Sequence, residues 1–213
     1  MENNRSCNEI VSVPFKYSMQ KKTKKLSGSE KFSHMGDGGV SVLDFWQYGF
    51  SNLNSNILRG VLAEFIVESA LKDSTEIDVR NPWGDYDVLA PNGKRVEVKS
   101  CSYIQDWEQS KHSRIVWAGL KAKNLFWSSA VGMPSVEPAD YKADEYVLTL
   151  LKHQDSETLN ILDLDQWCFW VLSREQIKEL SKNGGSISLV ALQKKGILPV
   201  EFGKVREEVE RII

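Results

Sequence analysis

Cysteine is scarce in this chain, with only Cys7, Cys101 and Cys168 among 213 residues. They are odd in number, widely spaced and without a CxxC pair, and only three histidines accompany them. That inventory argues against a disulfide framework and against a structural zinc site; incidental or buried thiols in a reducing compartment are expected instead. Long apolar runs are missing too. No stretch approaches the roughly 18 consecutive apolar residues that a membrane span needs, and "MENNRSCNEI" lacks the apolar centre of a signal peptide. A cytoplasmic protein without membrane association is expected. Nor is there an excess of positive charge: 27 Lys and Arg stand against 29 Asp and Glu, so overall charge does not advertise a nucleic-acid binder. The charge is uneven, however. Lys16 to Lys25 and Lys111 to Lys123 are basic and Glu201 to Glu210 is acidic; the basic stretches suit either solvated surface or guidance of a polyanion.

What remains is the composition of an ordinary globular protein, 41% hydrophobic and 26% charged, and long enough to bury a substantial core as one generous domain. Residues 1–40 are polar and lack a sustained hydrophobic period, which suggests a flexible arm with one short strand at "EIVSVPFKY". Order is expected from "SVLDFWQYGF", a helix packed on the domain, so that residues 41–213 form a single domain. "SNLNSN" then supplies N-cap residues for "NILRGVLAEFIVESALKD". The apolar positions of that helix spread over most of its circumference, so little of it should face water. Glu64 sits in its middle, where a carboxylate needs a partner: Arg59, Lys72, a solvent stripe shared with Glu68, or a metal.

Strands are expected at "TEIDVR", "RIVWAGL", "EYVLTLLKH" and "QWCFWVLS", and a long loop or insertion over "KAKNLFWSSAVGMPSVEPADYKAD". "SYIQDWEQSKHS" reads as a turn or short helix. Ser173 with Gln176 three residues on forms a capping box that opens "SREQIKEL". "SLVALQKKG" and "EFGKVREEVERII" are further helices. A mixed α/β fold follows from this order.

The informative stretch is "YDVLAPNGKRVEVKS", a hairpin with Asp87, Glu97 and Lys99 inside its apolar runs. Glu97 and Lys99, two apart, share one strand face and Val96 and Val98 the other. A three-residue loop of Pro91, Asn92 and Gly93, with Gly93 left-handed, sets Asp87 opposite Glu97; a two-residue Asn-Gly turn would set it opposite Val98. Two opposed carboxylates repel. A divalent cation between them reverses the sign, and Mg²⁺ takes few carboxylate oxygens while keeping sites for water and phosphate. Such an arrangement suits phosphodiester hydrolysis, with Lys99 positioning the attacking water or neutralising charge at phosphorus.

Asp87, then "Glu97-Val98-Lys99", behind a helix bearing Glu64, resembles the PD-(D/E)XK, or restriction-endonuclease-like, nuclease superfamily. Tyr86 stands where the motif's name has Pro, and Asp85 is a second acidic choice beside Asp87. The resemblance covers about residues 55 to 120. It implies a restriction-endonuclease-like α/β core, with a mixed central β-sheet flanked by helices and a helix followed by a three-stranded meander. It also implies Mg²⁺ or Mn²⁺ on Asp87 and Glu97, with Glu64 as an added acidic ligand, and Lys99 as the catalytic lysine. Gln105, Tyr103 and Trp107 follow as candidate substrate contacts, as does Trp83; Trp117, Trp167 and Trp170 are read as core.

The expected activity is that of a Mg²⁺-dependent endonuclease on DNA, in restriction, phage defence or repair. A homodimer would suit double-strand cleavage. Two other readings compete with it: a non-catalytic member of the same fold that binds nucleic acid or a protein, and a structural salt-bridge cluster on an exposed sheet face.

Overall fold

The structure, a computed structural model, describes residues 23–35, 38–73, 75–82, 84–122, 125–127, 134–136 and 138–212, with side chains excepted at 125–127 and 134–136. Its centre is a four-stranded mixed sheet built from β1 (Val88–Leu89), β2 (Arg95–Ser102), β6 (Glu145–Leu151) and β7 (Trp167–Ser173), in the order β1-β2-β6-β7. β1 and β2 form the hairpin, β6 joins β2 in parallel, and β7 returns antiparallel to β6. Every residue of β6 is buried, as its near-continuous apolar sequence requires of a strand covered on both faces. Its one charge, Glu145, accepts from Lys94 Nζ at 2.7 Å.

One face of the sheet packs on α2 (Asn56–Leu71) and α5 (Val205–Arg211), through Ala63, Val67, Val96, Val98, Val147 and Val209. The other carries β3 (Val116–Ala118) paired with β8 (Ser186–Ser188), together with α3 (Arg174–Leu180) and α4 (Leu189–Lys194). Trp117, Trp167 and Trp170 lie in these cores as expected, and Trp117 and Trp170 meet edge to face at 5.3 Å. Cys101 and Cys168 are free thiols, both pushed up to about 11 by burial; Cys7 lies outside the described residues. Among the described residues no helix is long and apolar enough to cross a membrane.

Several expectations need correction. "TEIDVR" forms no strand; no described strand pairs with it, and extended propensity without a partner makes no ladder. The three-stranded meander implied by the resemblance is not present in the central sheet: β2 is followed there by β6, whereas β3 pairs with β8. The expected long loop contains a ribbon of β4 (Leu125–Trp127) and β5 (Pro134–Val136), and an Ala122–Asp140 bridge lies at its base. α2 exposes one side, with Ile57 80% and Phe65 53% accessible, because helices and sheet cover only its inner face. α1 (Val42–Phe50) is a helix but has no buried residue, against the expectation that it packs on the domain. The strand expected at "EIVSVPFKY" lies outside the described residues.

The Ser173 capping box is present. Ser173 Oγ accepts from Gln176 N at 3.2 Å and Gln176 Oε1 from Ser173 N at 2.8 Å. Ser173→Ala is therefore expected to lower stability by about 1 kcal/mol, read as a lower urea midpoint at unchanged m-value.

Candidate active site on the β1–β2 hairpin

The turn determines the geometry. Gly93 has φ 83°, a left-handed conformation that a side chain would strain. Ala90 N donates to Lys94 O and Gly93 N to Ala90 O, both at 2.9 Å. The register is Leu89 to Arg95 and Val88 to Val96, so the three-residue loop holds and the same count carries Asp87 opposite Glu97. The ladder stops there. Asp87 Oδ2 instead accepts from Val98 N at 2.8 Å, so a side chain takes over a backbone bond at the open edge of β2.

Lys99 donates to Glu97 Oε1, with the two side chains 24% and 18% exposed. Beyond β3, Gly119 lies beside the lysine stem, where an added Cβ would be 3.9 Å from Lys99 Cε. The Asp87 carboxyl is pushed up to about 6, first by burial and then by the negative charge of Glu97; Glu64 adds to this, while the Val98 amide and Lys99 oppose it. Glu64, Glu97 and Lys99, separated in sequence, thus all act electrostatically on Asp87. Asp85, the alternative acid, is exposed and acts on Arg95 instead, which favours Asp87 as the site's acid.

Glu64 has a partner that was not among those anticipated. Arg80 grips both of its oxygens, through Nε to Oε2 and through Nη2 to Oε1 at 2.7 Å. Lys72 pairs with Glu68. Nothing local in "TEIDVR" signals the Arg80 contact, which spans sixteen residues. Arg59 was also missed as an organiser. It is buried and donates to Asn54 O at 2.7 Å and to Gln105 Oε1 at 3.0 Å, fastening the approach to α2 onto the loop after β2.

The candidate substrate residues separate under this geometry. Gln105 has its amide engaged: besides Arg59, its Nε2 donates to Ser102 O at 2.8 Å and Ser113 Oγ at 3.1 Å. Tyr103 packs on the core and stands 6.0 Å from the His112 ring. Trp107 is 53% exposed and, with Gln105, Lys111 and His112, lines an open groove of about 640 Å³. Trp83 lies outside the described residues.

Comparison with protein-family models, curated proteins and solved structures finds no match to this chain.

The donor set can be tested against a divalent ion. Among the described residues no group of three or more His, Cys, Asp or Glu side chains is placed to hold a metal, and Glu64 is engaged by Arg80. Asp87 and Glu97 remain as a pair whose charges oppose each other in partly buried surroundings. Two carboxylates completed by water and phosphate oxygens are what Mg²⁺ accepts, so the pair fits Mg²⁺ and Glu64 would have to leave Arg80 to join it.

Proposed function

We propose that the protein is a Mg²⁺- or Mn²⁺-dependent endonuclease of the cytoplasm that hydrolyses phosphodiester bonds of DNA, in restriction, phage defence or repair. The observation that carries this is the three-residue turn that sets Asp87 opposite Glu97, with Lys99 on Glu97: burial first and then the charge of Glu97 raise the Asp87 carboxyl to about 6, which a cation would relieve. Asp87 and Glu97 would hold the ion, which when bound supplies charge neutralisation at the phosphate and acidification of a water. The Val98 amide orients Asp87 through Oδ2. Lys99, in contact with Glu97, would orient the attacking water and offset negative charge on the phosphoryl oxygens. Trp107 offers an exposed ring face for a base.

The test is cleavage of supercoiled, linear and single-stranded DNA with Mg²⁺ or Mn²⁺, with Asp87→Ala prepared in parallel. Activity in the wild type that is lost in the variant supports the proposal, and equal cleavage by both would refute it. Trp107→Ala is expected to weaken binding of single-stranded DNA about tenfold while leaving single-turnover cleavage at saturation near wild type, measured by fluorescence anisotropy and quench flow.

The engagement of Glu64 by Arg80 favours one second reading, a non-catalytic member of the same architecture that binds nucleic acid or a protein. It predicts DNA binding without metal-dependent cleavage in the same assays.

A further inference from the structure

We propose that Arg80 is a latch on the hairpin site: in the free protein it holds Glu64 away from the Asp87–Glu97 pair, and a DNA phosphate that takes its guanidinium frees Glu64 to join that pair as a metal ligand. The inference rests on the nuclease reading and extends it, by tying metal loading to the presence of substrate. Glu64 stands in the third turn of α2, and Arg80 comes from the segment between α2 and the hairpin, in which residues 77–81 form neither helix nor strand. That segment is tethered just upstream, where Lys25 Nζ donates to Ile77 O at 2.9 Å. The Arg80 side chain is 41% exposed and that of Glu64 15%, so the guanidinium is open to a ligand arriving from solvent while the carboxylate is largely covered.

Arg80 spends its fork on Glu64, through Nε to Oε2 and Nη2 to Oε1, so both oxygens that a third acidic ligand would offer are taken. Among the described residues Glu64 accordingly joins no group of three acids placed to hold a metal. Yet the three side chains lie within electrostatic reach of one another: the charge of Glu64 acts on Asp87, and that of Asp87 acts on Arg80. The planar fork that matches a carboxylate matches a phosphate equally well. A phosphate bound beside Asp87 and Glu97 therefore competes with Glu64 for the same donors.

Charge pairing explains why the two exchanges go together. If Glu64 turned to a cation with no DNA bound, Arg80 would lose its partner. If Arg80 turned to a phosphate with no cation bound, Glu64 would be left largely covered and unpaired, with the like charge of Asp87 in reach, which is costly. With both ligands present every charge keeps a partner: Arg80 changes a carboxylate for a phosphate, and Glu64 changes a guanidinium for the ion. Metal and DNA binding are then coupled, each tightening the other by the same factor. In the free protein the metal affinity is lowered by the small fraction of molecules in which Glu64 is off the latch.

Isothermal titration calorimetry with MgCl₂ in the absence of DNA tests the latch, on the full chain as wild type, Arg80→Gln, Glu64→Gln and the double variant, with circular dichroism confirming the fold of each. Arg80→Gln is expected to tighten Mg²⁺ binding about tenfold, and by less than about threefold when Glu64 is already Gln, since only the through-space loss of a positive charge then remains. Arg80→Lys keeps the charge but gives up the fork, and should also tighten binding. The reciprocal arm is fluorescence anisotropy of a short DNA duplex in EDTA: Glu64→Gln releases Arg80 and should tighten DNA binding several-fold, an effect lost in the double variant. Equal tightening by Arg80→Gln in both Glu64 backgrounds, or none in either, overturns the latch. If Mg²⁺ binding then still requires Asp87, tested with Asp87→Ala, the nuclease site stands without it; if neither the wild type nor Arg80→Gln binds Mg²⁺, the latch and the metal site fall together.

Discussion

Asp87→Asn protein without metal is expected to be more heat-stable than the wild type well above pH 6, and at the same time inert toward DNA. The ordinary carboxyl value of 3.8 rises to about 6 at Asp87, which corresponds to about 3 kcal/mol against the ionised form. Part of that is relieved by solvent, because the group is only partly buried, so a gain of about 1–2 kcal/mol is the reasonable expectation. For a chain of this length that is a rise in thermal midpoint of about 3–6 °C. Asparagine keeps an oxygen to accept the Val98 amide bond while removing the charge that Glu97 opposes.

The sign follows from proton linkage. Between 3.8 and about 6 the folded protein holds a proton at Asp87 that the unfolded chain has released. The contribution is therefore fully present below 3.8 and is lost as pH rises through about 6. Asp87→Asn should flatten that slope. Mg²⁺ should stabilise the wild type, release a proton on binding below about pH 6, and leave the variant's midpoint unchanged. Differential scanning calorimetry across this pH range, with and without Mg²⁺, reads the slope and the midpoints, and isothermal titration calorimetry in buffers of different ionisation enthalpy reads the proton release. A variant less stable than the wild type above pH 6, or still shifted by Mg²⁺, would remove Asp87 from the proposed ligand pair.

The legible parts of this molecule are those determined by neighbours in sequence. "PNG" carries its own left-handed requirement at Gly93, which a three-residue loop and an Asn-Gly turn would both meet, and the three-residue loop that forms sets the register bringing Asp87 opposite Glu97. Ser173 and Gln176 cap α3 because both partners lie within one turn. Alternation in "RVEVKS" sends Val96 and Val98 to the core and Glu97 and Lys99 away from it. Where the partner is distant, the pattern is silent. Nothing local indicates that β6 adds in parallel to β2 across more than forty residues, or that Arg80 holds Glu64. Periodicity identifies an apolar face without identifying what covers it, which is why α1 was expected to be packed and is instead exposed. Gln105 could be named from its position after Lys99, but the engagement of its amide depends on Arg59, forty-six residues earlier.

Lys99→Ala is expected to keep Mg²⁺ binding and lose turnover by about 10²- to 10⁴-fold, the range for removing a positioned proton-transfer or charge-stabilising group. The two effects separate because Lys99 contributes no oxygen to an ion and its positive charge opposes one. Its removal leaves Glu97 without its partner and takes away an influence that holds the Asp87 carboxyl down. The Asp87 carboxyl should then titrate higher, and the pH profile of Mg²⁺ binding should move upward with it. Isothermal titration calorimetry reads the binding, and single-turnover cleavage at saturating Mg²⁺ reads the chemistry. If Glu97 and Lys99 were only a surface ion pair, the substitution would cost at most about 1 kcal/mol of stability, Mg²⁺ would shift no melting curve, and no cleavage would exist to lose. Wild-type cleavage by Lys99→Ala would show that the lysine has no part in the reaction even if the acids do, because charge stabilisation would then come from elsewhere, with Arg80, which holds Glu64 and responds to the charge of Asp87, the cation to replace next.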